Sequence, residues 1–131
     1  MSKIMTLLAN RTAVVTGGSS GLGRSICEQF AAEGADVVVA DVRAEPREGG
    51  TPTHELIDET YDVEATYVDC DVTETADHEA AADAADSLGG LDIWVNNAGV
   101  FRAEEFTEVT EDEYDWLMDI YVKGTFFGAQ V

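Results

Sequence analysis

Lysine is almost missing from this sequence: Lys3 and Lys123 are the only two, and 7 basic residues face 27 acidic ones. The formal net charge of −20 excludes nucleic acid as a default partner, because phosphates need Lys and Arg to neutralise them. The same deficit argues against anionic membrane surfaces. Cysteine is also scarce. Cys27 and Cys70 are too few for a disulfide framework, and their helical and strand-end positions suit small apolar filler. No stretch approaches the roughly 18 apolar residues of a transmembrane helix. Ile4–Ala9 is apolar but too short and poorly flanked for a signal peptide. These absences together lead us to expect a cytoplasmic protein.

What is present is a core. Hydrophobic residues make up 45% of the 131 residues, which argues against the disorder that high charge alone would favour. The length suits one domain over residues 1–131. An acidic surface on a folded chain fits a halophilic setting: at about 1 M salt the Debye length is roughly 3 Å, and self-repulsion is screened. An ordinary acidic cytosolic protein is the alternative.

Along the chain, strands and helices alternate. Thr12–Thr16 is a short apolar run ending in glycines. Leu22–Glu33 has apolar residues at helical spacing, and Gly34 ends it as a C-cap. Val37–Ala40 is continuous and mostly β-branched, as in a strand covered on both faces. Residues 43–52 read as a loop and His54–Tyr61 as a short helix. Ala65–Val68 is a third strand, followed by the acidic turn Asp69–Asp71. Thr75–Leu88, rich in Ala and acid, reads as an exposed helix stopped by Gly89 and Gly90. Leu91–Val95 is a fourth strand and Val100–Glu108 a loop. Thr110 and Glu113 have capping-box spacing at the head of a last helix running from Glu111 toward Val131. The alternation predicts an α/β fold: a three-layer, doubly wound parallel sheet of Rossmann type.

The strongest local signal is Thr16-Gly17-Gly18-Ser19-Ser20-Gly21-Leu22-Gly23, between a strand and a helix. A dinucleotide fingerprint requires that context. Gly17 permits the tight turn, Gly21 lets backbone approach a pyrophosphate, and Gly23 lets the helix pack closely. The helix N-terminus then presents free N–H groups and a positive dipole end, and Ser19 and Ser20 add hydroxyl donors. A P-loop is disfavoured, since no Gly-Lys-Ser or Gly-Lys-Thr follows. Asp41 ends the second strand 18 residues after Gly23, near the roughly 20 expected of a ribose-binding acid. A carboxylate there accepts from both adenosine ribose hydroxyls and repels a 2′-phosphate, favouring NAD over NADP. Against this stands Arg43, a nearby Arg that could accommodate the phosphate.

With these motifs, Asp71-Val72 after the third strand and Asn96-Asn97-Ala98-Gly99 after the fourth, the chain resembles the N-terminal, cofactor-binding half of a short-chain dehydrogenase/reductase. Lys123-Gly124-Thr125-Phe126 also looks like this family's long helix. The resemblance implies strand order 3-2-1-4. Asp71 and Val72, beside Val42, would meet the adenine. Asn96 and Asn97 would order the sheet and approach the cofactor, and Ala98 and Gly99 would give the ribose and nicotinamide room, with Val122 nearby. Hydride would pass between the nicotinamide and a small-molecule carbonyl or secondary alcohol. No metal is implied.

The family's catalytic Ser, Tyr and Lys are not found. None of Tyr61, Tyr67, Tyr114 and Tyr121 has a Lys four residues on, so the chain stops short of the Tyr-x3-Lys that the resemblance leads one to expect. Tyr121 also stands where the family places an Asn. No catalytic residue is therefore assigned, and a non-enzymatic NAD-binding module or an inactive fragment stays open beside the oxidoreductase. Trp116, Leu117, Ile120, Phe126 and Phe127 give the last helix an apolar side, and the resemblance, in which this helix builds subunit contacts, implies a homo-oligomer through it. An acidic receiver-like domain lacks its Lys on a late strand and would leave the glycine loop without purpose.

Overall fold

A computed structural model describes residues 6–131, so Lys3 and the start of the Ile4–Ala9 run lie outside the described residues. Four strands form one parallel sheet: β1 (Thr12–Thr16), β2 (Asp36–Asp41), β3 (Ala65–Asp69) and β4 (Ile93–Val95), in the order β3-β2-β1-β4. β1 and most of β2 are fully buried, and the pleat sends alternate residues to opposite faces. Val15, Val37 and Val39 pack with Cys27, Ala31 and Ile57, on the side of α1 (Gly21–Ala32) and α2 (Thr53–Thr60). Val14, Val38 and Ala40 pack on the other side, with Ala81 and Ala85 of α3 (Thr75–Ser87). Both faces are thus covered, which is why the central strands read as unbroken apolar runs.

The ends of α1 follow its sequence. Gly34 has φ +96°, and the N–H groups of Gly34 and Ala35 donate to Ala31 and Phe30 carbonyls at 3.0 Å each, the double bond of a Schellman cap. Two elements depart from expectation. The α3 helix is not exposed all round: His78, Ala81 and Ala85 are buried. Small alanines let it lie close on the sheet without the large residues that would have marked the face. β4 begins at Ile93, because the Asp92 carboxylate and N–H are already bonded to the backbone of Thr12, at 2.9 and 3.0 Å.

The last helix is continuous in backbone but not uniform. Thr110 Oγ1 accepts from the Glu113 N–H at 3.1 Å and caps α4 (Glu111–Met118). Asp119–Lys123 then widens into a π turn before α5 (Gly124–Gln130). Such turns insert a residue into a helix and often mark functional positions. No helix among the described residues is long and apolar enough to cross a membrane.

Candidate functional site

The β1–α1 turn is built from main chain with no room for side chains. Gly17, at φ +69°, donates its N–H to the Ala40 carbonyl at 2.7 Å. A Cβ on Gly23 would sit 2.1 Å from the Gly17 carbonyl oxygen and 2.5 Å from Asn97 Nδ2, whereas one on Gly21 would meet nothing within 4 Å. The turn is therefore closed toward the sheet at Gly23 and open outward at Gly21, where the first N–H groups of α1 emerge.

Thr16 and Asn97 lock this turn to the end of β4. Thr16 Oγ1 donates to the Val95 carbonyl at 3.2 Å and accepts the N–H groups of Asn97 and Ala98 at 3.0 Å each. The Asn97 amide donates to the carbonyls of Thr16 and Gly17 at 3.0 and 3.3 Å. These bonds join the ends of β1 and β4. The Asn96 side chain instead faces α5: its Oδ1 accepts from Trp94 Nε1 at 2.9 Å and its amide donates to the Thr125 carbonyl at 3.4 Å.

On the other side, Asp41 ends β2. Its carboxylate accepts the Ser19 N–H at 3.1 Å and the Val42 N–H at 2.7 Å. Ser19 is wholly buried and its hydroxyl has no partner among the described residues, so it faces the interior and supports Asp41 through its backbone. Ser20 Oγ accepts the Arg47 N–H at 2.8 Å, and Glu48 Oε2 accepts the Gly21 N–H at 2.9 Å. That bond holds the exposed Glu48 carboxyl below the usual carboxylate range.

Beside these parts a cleft opens at the carboxyl ends of the strands, and Ser20, Gly21 and Asp41 do not line it. Its wall includes Gly17, Val42, Asp71, Val72, Ala98 and Gly99 of the expected residues. The β1–β2 and β3–β4 connections leave the sheet on opposite faces here, the switch point where α/β sheets bind ligands. Leu22 is 72% exposed and does not line the cleft. Val122 is exposed and does not line the cleft, where Ile120 lies instead. Arg47 and Cys70 also line it. Cys70 carried the signal of a strand-end filler, whereas nothing in the sequence marked Arg47. Burial pushes the thiols of Cys27 and Cys70 up to about 12, so both stay protonated. Burial likewise raises the Tyr67 phenol, whose hydroxyl bonds the Asp69 carboxylate at 2.7 Å.

The nicotinamide end expected of Gly99 is shaped by the π turn. The Tyr121 hydroxyl accepts the Val100 N–H at 2.8 Å and donates to the Val100 carbonyl. A Cβ on Gly99 would lie 2.7 Å from the Tyr121 ring. Tyr121 thus pins the segment that leaves β4. Tyr121→Phe is expected to raise amide exchange at Val100 about fivefold, the loss of about 1 kcal/mol of hydrogen bonding. Unchanged exchange by mass spectrometry or NMR would remove Tyr121 from that role.

Residues 11–131 match the family model described as short chain dehydrogenase. The L-2,3-butanediol dehydrogenase of Corynebacterium glutamicum is 42% identical over 122 residues, covering 92% of this chain and 46% of that protein. The galactitol 2-dehydrogenase of Agrobacterium fabrum is 36% identical, covering 92% and 44%. A crystal structure of a putative short-chain alcohol dehydrogenase from Sinorhizobium meliloti superposes with a TM-score of 0.83 at 38% identity, covering 94% of this chain and 48% of that one. The chain spans about half the length of the curated relatives it matches.

Proposed function

This chain belongs to the short-chain dehydrogenase family, and from that premise we propose that its cleft binds a nicotinamide dinucleotide, NAD in preference to NADP. The main chain of Gly17, Ser20, Gly21, Leu22 and Gly23 would hold the pyrophosphate. Asp41, steadied by the Ser19 N–H, would take the adenosine ribose. Val42, Asp71 and Val72 would hold the adenine, and Ala98 and Gly99 would leave space for the second ribose and the nicotinamide. Asn96, Asn97 and Val122 would act from behind the cleft, through the helix and strand ends they support.

One observation carries this proposal. At Gly23 a single Cβ would strike main chain at 2.1 Å, while at Gly21 a Cβ would meet nothing within 4 Å and the N–H is covered, among the described residues, by the Glu48 carboxylate alone. Gly23 answers close packing and Gly21 a positive φ, and together they leave the turn's main chain without side chains of its own facing a ligand. The cradle fits a phosphate chemically too, since emerging N–H groups and a helix dipole favour an anion.

When bound, the nicotinamide supplies hydride chemistry, and the protein supplies position and electrostatics. We propose that the whole protein oxidises a secondary alcohol or reduces a carbonyl, as the names of its relatives suggest. A non-enzymatic dinucleotide-binding module is the second reading, favoured by Tyr121, whose hydroxyl is committed to Val100. Calorimetric titration with NADH and NADPH tests the shared claim. NADH is expected to bind more tightly than NADPH, and no heat at millimolar NADH would contradict both readings.

A further inference from the structure

The loop between β2 and α2 makes a contact that the proposed cofactor role does not explain. Pro46 is buried, and its carbonyl accepts the Gly49 N–H at 3.0 Å, closing a turn with Arg47 and Glu48 at its tip. Those two neighbours grip two neighbours of the glycine loop. The Arg47 N–H donates to Ser20 Oγ at 2.8 Å, and the Glu48 carboxylate accepts the Gly21 N–H at 2.9 Å. The turn is followed by Gly49 and Gly50, at φ +85° and +97°, with open space where a Cβ would stand. On the far side, buried Thr53 ties α2 to the Gly18 carbonyl at 3.0 Å. The loop is thus anchored at Pro46 and Thr53, and between them it touches the glycine loop through Arg47 and Glu48.

We propose that Glu48 is an internal stand-in for phosphate, a strap residue that the dinucleotide must displace from the Gly21 N–H. This rests on the cofactor reading above. A carboxylate and a phosphate oxygen make the same charge-assisted bond to a backbone N–H, and a single N–H serves one of them at full strength. Two anions on one helix terminus also repel. Once Glu48 swings out on its glycine pair, the Arg47 backbone still holds the loop to Ser20. The Arg47 side chain stays in the cleft wall, and among the described residues it makes no salt bridge. The depressed pKa of Glu48 agrees with an anion held at this terminus. The strap thus sets affinity by competition, with no change in the cofactor contacts themselves.

The test compares the wild type with Glu48→Ala, Glu48→Gln and the control Glu45→Ala, which removes a charge from the same loop. NADH affinity is read by calorimetry in molar salt and Gly21 amide exchange by NMR. Glu48→Ala is expected to bind NADH about fivefold more tightly and to exchange faster at Gly21 in the free protein, with Glu48→Gln between it and the wild type. Glu45→Ala should stay within about twofold of the wild type, because salt screens long-range charge. If wild type binds NADH and Glu48→Ala binds no tighter, the strap is overturned and the cofactor reading stands. If neither wild type nor any variant binds, the cofactor reading falls and takes the strap with it. An equal gain in Glu45→Ala would also overturn the strap, by assigning the effect to net charge.

Discussion

Gly23→Ala is expected to lower both stability and dinucleotide binding, with a stability loss of about 3 kcal/mol, at the upper end for overpacked sites. The added methyl would lie 2.1 Å from the Gly17 carbonyl oxygen and 2.5 Å from the Asn97 amide. The obstacle is main chain, so no rotamer change relieves it, and α1 must move off the sheet. That movement would also disturb the Thr16–Asn97 network that joins β1 to β4. Domains of this size have about 5–15 kcal/mol in hand, so the variant should fold with a clearly lower melting temperature. Gly21→Ala provides the contrast. Nothing lies within 4 Å of its added Cβ, and only its φ of +53° is penalised, at about 1–2 kcal/mol. Its larger effect should fall on binding, where the methyl enters the phosphate's path. Thermal unfolding with NADH titration separates the two. Equal melting of Gly23→Ala and wild type would refute the packing argument.

Asp41→Asn is expected to erase the preference for NADH over NADPH. The wild-type carboxylate already accepts two N–H groups, from Ser19 and Val42. A carboxylate has about four acceptor sites, so two remain for ribose hydroxyls. Hydrogen bonds to a charged group contribute about 1.5–3 kcal/mol each. Losing one weakens NADH binding about tenfold or more. NADPH should lose little and gain relief from repulsion at its 2′-phosphate. The asparagine side chain keeps one acceptor for the Ser19 N–H, so the backbone there should hold. Parallel Kd measurements with both cofactors read the change. A preserved NADH preference would assign discrimination elsewhere, with Arg43 and Arg47 the next residues to change.

The strands were legible because those covered on both faces leave unbroken apolar runs, as Val37–Ala40 does, whereas their order came from the family resemblance. The glycine turn was legible because Gly17 and Gly23 stand where a Cβ would meet neighbours and Gly21 takes a positive φ. Asp41 was legible from its place at a strand end. Other features were hidden for physical reasons. The buried face of α3 is largely alanine, which packs closely without an amphipathic signature, so a helix with one buried face passed for one exposed all round. Arg47 and Glu48 reach the glycine loop across 27 residues of sequence, and one more basic–acidic pair in an acidic chain signals nothing. Tyr121 was legible as a departure from the family pattern, but its bond to Val100 depends on the π turn, which helical spacing does not reveal. Asn96 and Asn97 are adjacent in sequence, yet a strand end turns them to opposite structures, α5 and the glycine loop.

The measurement closest to the core of this account is a two-dimensional amide spectrum of the protein titrated with NAD+. The backbone signals of Gly17, Gly21, Leu22 and Gly23 should shift first and furthest, together with Ser19, which reports on Asp41. Shifts confined to other surfaces, with the glycine-loop amides unmoved at saturation, would contradict it.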